Sequence, residues 1–371
     1  MRLGATPDSH EATLDECVPS IGRFIPESGY ADATVSTLLA HTSGMQSEPV
    51  GPWWERSPGV DVTSLVAAND GSGAVADAGF FHHYSNLGFA LLGEAVARLR
   101  SVPWWDVVAA ELLEPLGMTR TSYLPVAPHA QGHSVVHFTG ELADEPHQDT
   151  VAMAPAGQAW STVTDLLRWA DFLATGHPDV LAPATLAEMS TARPPASGYG
   201  LGLRLIDAAG RRLTGHTGSM PGFLASLFVD RSTRDACVAL TNATSGLEME
   251  WVPEMLLGDE EPGPGEPWTP SGALPAPLDG VPGVWFWGNT AHELRWNRGQ
   301  AVLMELGDPD GADLFEVRDD RIVGVEGYHR GETLHVHRRA DGSVSHLVCA
   351  TFVYTRIPYD PDVQIPGGHP A

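Results

Sequence analysis

The sequence predicts a mixed α/β chain of the α+β kind: an antiparallel sheet flanked by helices, with a helical subdomain, followed by a small all-β domain. Three observations carry this. Apolar residues recur at helical spacing from Leu87 to Leu99. From Tyr199 to Thr241 the pattern becomes alternation broken by turn residues. After a stretch rich in Pro, Gly and acid, residues 258–280, about eight short strand-like segments follow to Tyr354.

The elements follow in order. Residues 1 to 80 are loop-rich, with one short helical piece between Asp32 and His41 anchored by Leu38 and Leu39. Ser85 opens an amphipathic helix whose stripe is Leu87, Leu91, Leu92, Ala95, Val96 and Leu99. A second helix starts at Pro103, a good first-turn residue, and ends near Pro115 and Gly117. Residues 121–155, with their Pro, Gly and His, read as a long loop. Thr162 and Asp165 make a start resembling a capping box for a helix running to Gly176. A meander follows, with Leu201, Leu203 and Leu205 alternating and turns at Ala208–Gly210, Pro221-Gly222 and Arg231–Asp235. A helical piece spans Glu248 to Leu257. This organisation predicts a first domain over 1–257, a linker over 258–280, and a small β-barrel-like domain with a polar tail over 281–371.

Composition bounds the chemistry. The 371 residues hold 47 acids and 21 Lys plus Arg, a formal net charge of −26. All the cations are arginine, and there is no lysine. That excludes a G-x-x-x-x-G-K phosphate loop and any Schiff-base lysine. The acidic balance argues against nucleic acid or an anionic membrane as partner. Cys17, Cys237 and Cys349 are too scattered for a disulfide framework or a zinc site, and read as isolated thiols. No stretch reaches the roughly 18 apolar residues of a membrane span. The residues after Met1 contain no apolar signal core, so the chain as it stands reads as cytoplasmic. No cofactor is implied. His129, His133 and His137 are spaced by four, but Pro128 and Gly132 break any helical stripe, so no metal is expected there.

Three short segments carry the chemistry: Leu38-Leu39-Ala40-His41-Thr42-Ser43-Gly44, Tyr84-Ser85-Asn86 at a helix entry, and His216-Thr217-Gly218 near a strand end before a Pro-Gly turn. With Tyr84 to Glu94, Glu114 to Met118, Ala154 to Asp165 and Tyr199 to Asn242, they make residues 10–257 resemble the serine β-lactamase-like hydrolases. These include class C β-lactamases, D-aminopeptidases, penicillin-binding proteins and esterase relatives. The resemblance implies acyl transfer from a small amide or ester to a serine. It implies that Tyr84 shuttles a proton, that Asn86 orients the substrate, and that His216, Thr217 and Gly218 form the strand motif. It also implies that the Ser219 N–H is one oxyanion donor. The segment around Trp285-Phe286-Trp287-Gly288 resembles the small β domain appended to many members.

One part of the family pattern is missing. The nucleophile of the family lies in Ser-x-x-Lys, and a chain without lysine cannot hold it. Leu14 to Val18 resembles the stretch that follows the nucleophile helix, which puts the motif about a dozen residues before Met1 and makes the chain an N-terminally truncated product. Without that lysine, Tyr84 lacks a cation to lower its pKa, and His216 supplies one only below its ordinary range of about 6.5. The alternative is a non-catalytic module that binds β-lactam or peptide ligands. Ser85 reads as a helix cap and Thr42-Ser43-Gly44 as a turn.

Overall fold

The computed structural model describes residues 19–258, 269–308 and 311–368. Leu14 to Val18, Cys17, the acidic stretch 259–268 and the turn residues 309–310 lie outside the described residues. Two compact units emerge: residues up to 133 with 144–265, and residues 134–143 with 266–371.

In the first unit, α1 (Val35–Leu39) is held by a reciprocal cap between Thr34 and Thr37, and α2 (Val62–Ala68) is capped by Asp61. The stripe after Ser85 forms α3 (Asn86–Arg100), with Leu87, Ala90, Leu91 and Ala95 buried against Ile21, Ile25, Leu38 and Met45. Ser85 caps it: its Oγ accepts the Gly88 N–H at 3.0 Å and donates to the Gln46 carbonyl at 2.6 Å. Gly93 sits mid-helix because a Cβ there would meet the Pro155 ring at 2.1 Å. Helix α4 (Trp104–Val108) follows Pro103 and continues as a π-helical turn, Ala109–Leu113.

The loop expected over 121–155 holds structure of its own. β1 (His133–Val135) pairs with β2 (Leu142–Asp144), and the hairpin they frame belongs to the second unit. There the Phe138 carbonyl accepts the Trp296 N–H at 2.7 Å. Helix α5 (Val163–Thr175) is capped by Thr162, which accepts the Asp165 N–H. The reciprocal half of the expected capping box is absent. The Asp165 carboxylate is fully buried and accepts instead from the Arg120 N–H at 2.7 Å and the Thr121 hydroxyl at 3.0 Å. Helix α6 (Pro183–Met189), which periodicity does not reveal, opens on a proline.

The expected meander is β3 (Arg204–Ala208), β4 (Arg211–Met220), β5 (Phe223–Val229) and β6 (Ala236–Thr241), in sheet order β3-β4-β5-β6. Leu201 and Leu203 precede β3 and are buried. Helix α5 buries Phe172 and Leu173 against Leu227 and Val229 of the sheet. Gly222 turns β4 into β5 at φ +84, and a Cβ there would meet the Gly132 backbone at 2.6 Å. Helix α7 (Val252–Leu257) follows β6.

The second unit closes eight antiparallel strands into a barrel: β7 (Gly283–Trp287), β8 (Thr290–Asn297), β9 (Gln300–Glu305), β10 (Asp313–Arg318), β11 (Arg321–Glu326), β12 (Thr333–Arg338), β13 (Val344–Cys349) and β14 (Phe352–Thr355). Strand β14 returns to β7 with Tyr354 opposite Trp287, so no edge is left open. Alternate residues fill the interior, with Trp285, Phe315, Leu347 and Cys349 fully buried.

Candidate active site

Tyr84, Asn86, His216, Thr217, Gly218 and Ser219 all line one cavity of about 1210 Å³ in the first unit. Two elements present them. Tyr84, just before the Ser85 cap of α3, and Asn86, its first helical residue, come from the helix entry, and the last residues of β4 carry the other four. Tyr199, Arg204 and Trp160 complete the wall nearby.

A chain of hydrogen bonds runs behind this wall. The His41 ring is 1% exposed. Its Nδ1 accepts the Ser85 N–H at 3.0 Å, which leaves the ring proton on Nε2. Nε2 lies 3.2 Å from the Tyr199 hydroxyl, and that hydroxyl lies 2.9 Å from His216 Nε2. His216 Nδ1 reaches the Thr217 carbonyl at 2.5 Å, so it must carry the proton, and Nε2 accepts from Tyr199. Both rings are neutral by environment. Burial, then His82, His216 and His83, pushes His41 down to about 3. Burial also lowers His216, against the opposing pull of its Thr217 bond, and Arg204 adds to the lowering. Burial raises Tyr199 well above the ordinary tyrosine range.

Tyr84 stands differently. It is 39% exposed, and its hydroxyl makes no hydrogen bond to a described residue. Its ring centroid is 4.1 Å from that of His41 and 5.9 Å from that of His216. Burial and the Glu48 carboxylate raise its pKa, and Arg204 opposes them. The family resemblance has the strand-motif group at His216 hold either a carboxylate or the Tyr84 oxygen. In the structure His216 Nε2 bonds Tyr199, and burial makes His216 a worse cation than an exposed histidine.

The permanent charge at the strand motif belongs to Arg204. One guanidinium nitrogen donates to Thr217 Oγ1 at 3.0 Å, and another to Glu250 at 2.8 Å. The Glu250 side chain is 70% exposed, so this pair is readily exchanged with solvent or a ligand. Asn86 donates its Nδ2 to Glu48 at 2.8 Å, while Glu48 also takes the Trp54 indole N–H at 2.6 Å. The Asn86 amide oxygen is therefore the end left for a ligand donor.

Sequence reasoning missed Tyr199, Arg204 and Glu48, and left His41 without a chemical role. Their partners are remote: 158 residues separate His41 from Tyr199. Only the Leu38–Gly44 segment carried a signal. Ser85 Oγ is buried in its cap and holds the Gln46 carbonyl, which excludes it as a nucleophile. His129 and His147 lie beside Trp160 on the cavity wall, and His137 lies beside Arg295 in the second unit. Among the described residues no three His, Cys, Asp or Glu side chains gather to hold a metal. No described helix is long and apolar enough to cross a membrane.

A family model described as Beta-lactamase matches residues 9–253, and one described as Domain of unknown function (DUF7586) matches residues 274–356. Over 156 residues the chain is 28% identical to the D-alanyl-D-alanine-carboxypeptidase/endopeptidase AmpH of Escherichia coli (strain K12), a match covering 40% of this chain and 38% of that protein. It is 28% identical over 261 residues to penicillin-binding protein 4 of Amycolatopsis lactamdurans, covering 63% of this chain and 67% of the relative. Among solved structures, the octameric penicillin-binding protein homologue from Pyrococcus abyssi shares the fold. The TM-score is 0.56 at 20% identity, over 91% of this chain and 82% of that one.

Proposed function

The chain belongs to the Beta-lactamase family, and from that premise we propose that its cavity binds a small amide or ester and positions it for acyl transfer to a serine. The observation that carries the reading is convergence. Tyr84, Asn86 and the run His216 to Ser219 are separated by some 130 residues of chain, yet they line one cavity. In this reading the Asn86 oxygen receives a substrate N–H, and the Ser219 N–H faces the developing oxyanion. Tyr84, held above its ordinary pKa, keeps its proton at neutral pH. At rest it is thus in the protonated form that a proton donor to the leaving group requires. Arg204, beside Thr217, offers its guanidinium to a free carboxylate on the substrate, with Glu250 as the group displaced.

The Ser-x-x-Lys pair is not among these 371 residues. His41 and His216 are neutral and cannot replace its charge. The chain alone therefore holds the binding and leaving-group half of the chemistry. Intact-mass measurement after incubation with nitrophenyl acetate or an activated β-lactam tests this. The 371-residue chain should stay unmodified, and the same chain extended by a relative's Ser-x-x-Lys helix should gain one acyl group on the added serine. An adduct on the unextended chain would place the nucleophile among the residues present. Saturable binding with no adduct from either protein would favour a non-catalytic ligand-binding role.

A further inference from the structure

The hydrogen bonds through His41 and His216 end, at both extremities, on peptide groups. One end is the Ser85 N–H and the other is the Thr217 carbonyl. Neither gives nor takes a proton at ordinary pH. His41 could pass on its Nε2 proton only if Nδ1 gained another, and Nδ1 faces an N–H that cannot supply one. The chain therefore cannot relay a proton. What it does is connect. Ser85 sits between Tyr84 and Asn86, and Thr217 sits between His216 and Gly218.

We infer that His41 and Tyr199 are positioning residues, a neutral strut that sets the spacing between the Tyr84-Ser85-Asn86 turn and the His216 to Ser219 strand end. All four ring nitrogens are engaged, and the Tyr199 hydroxyl both accepts and donates. Tyr199 is 4% exposed and His41 is 1% exposed, so the two His41 bonds are sheltered from competing water, while the two His216 bonds are partly buried at the cavity wall. The His41 ring also stacks on Phe89 with centroids 5.1 Å apart and lies tilted on Tyr84. Its backbone adopts φ +55, a conformation that costs a non-glycine residue energy and persists only where its surroundings enforce it. Removing the Tyr199 hydroxyl would leave the His41 Nε2–H and the His216 Nε2 lone pair facing each other with nothing between. The motif turn and the strand would then be tied only by packing. The function of the strut rests on the active-site reading. Its existence does not, because the test uses no ligand and no turnover.

Nitrogen NMR of the histidine rings in the full chain at pH 7 decides the first part. The strut requires His41 protonated only on Nε2 and His216 protonated only on Nδ1. A His216 proton on Nε2, or a doubly protonated ring at either position, would overturn it. The Tyr199→Phe protein tests the second part. Its Ser85 amide should exchange with solvent roughly three- to tenfold faster, the worth of one net hydrogen bond, and the His216 Nε2 resonance should move. A folded Tyr199→Phe protein with Ser85 exchange and ring resonances unchanged would contradict the inference. Should that variant fail to fold, the ring-proton assignments of the unaltered chain still decide it.

Discussion

His41 in the first unit and His329 in the barrel are almost equally buried, at 1% and 2% exposure. They are provided for very differently. Both His41 ring nitrogens have partners. His329 Nε2 lies 3.2 Å from the Tyr354 hydroxyl and its backbone N–H reaches Asp313, but Nδ1 has no hydrogen-bond partner among the described residues. A fully satisfied polar network specifies one arrangement, whereas a half-satisfied one is a local cost that the surrounding apolar packing must offset. The cavity wall is thus held by directed bonds between remote residues. The barrel is held by interior filling and strand closure, with its polar cluster tolerated.

Breaking the barrel's packing should have the largest effect. Trp285→Ala removes a fully buried indole and its stacking with Arg356. It should cost about 3–5 kcal/mol, read as earlier denaturant unfolding reported by barrel amides. Next comes His41→Ala, which strands the Ser85 N–H and takes from the Tyr199 hydroxyl the donor it accepts from. About 2–4 kcal/mol is expected, read from amides of α3 and β4. His329→Leu, by contrast, removes a ring with an unpaired nitrogen and should change stability by about 1 kcal/mol or less, in either direction. Equal losses at His41 and His329 would erase the distinction between the two regions.

Binding sharpens the same contrast. Arg204→Gln should weaken acetyl-D-alanyl-D-alanine by roughly 10- to 100-fold while leaving its C-terminal amide little changed, since only the former carries the carboxylate. Glu250→Gln should tighten the acid by a smaller factor, by removing the competing anion. Calorimetric titration of both ligands checks this.

His41 also sets a pH dependence. His41 in the folded chain takes its proton only near pH 3, with burial and the facing His82, His216 and His83 as causes. The unfolded ring takes its proton near 6.5. The unfolded state therefore binds more protons between those values. The contribution of neutral His41 is complete above about pH 6.5 and is lost as pH falls toward 3. His216 adds in the same direction. Stability measured at pH 7 and pH 4.5 should fall less in His41→Asn than in the unaltered chain.

Much of this architecture is legible in the sequence because period reports burial directly. Leu87 to Ala95 fall on the buried face of α3, and the alternation around Trp285, Leu294 and Phe315 gives the barrel interior. The β1–β2 hairpin escaped because its partners, Trp296 among them, are far along the chain, and no local pattern encodes them. Asp165 misled for the opposite reason: a local capping pattern was present, but buried donors from Arg120 and Thr121 claimed the carboxylate. The site followed the same division. Motif residues such as Tyr84 and His216 were visible as text. The groups that set their charge and spacing, Arg204, Glu48, Tyr199 and His41, act through contacts that only folding creates.

The most direct test of the cavity as a ligand site is an amide NMR titration of the full chain with acetyl-D-alanyl-D-alanine. Resonances of Asn86, Thr217 and Ser219 should shift together and saturate with one binding constant, while barrel amides such as those of Leu294 and Leu347 stay fixed. Shifts confined to the barrel, or Asn86 and Ser219 responding with separate constants, would contradict the account.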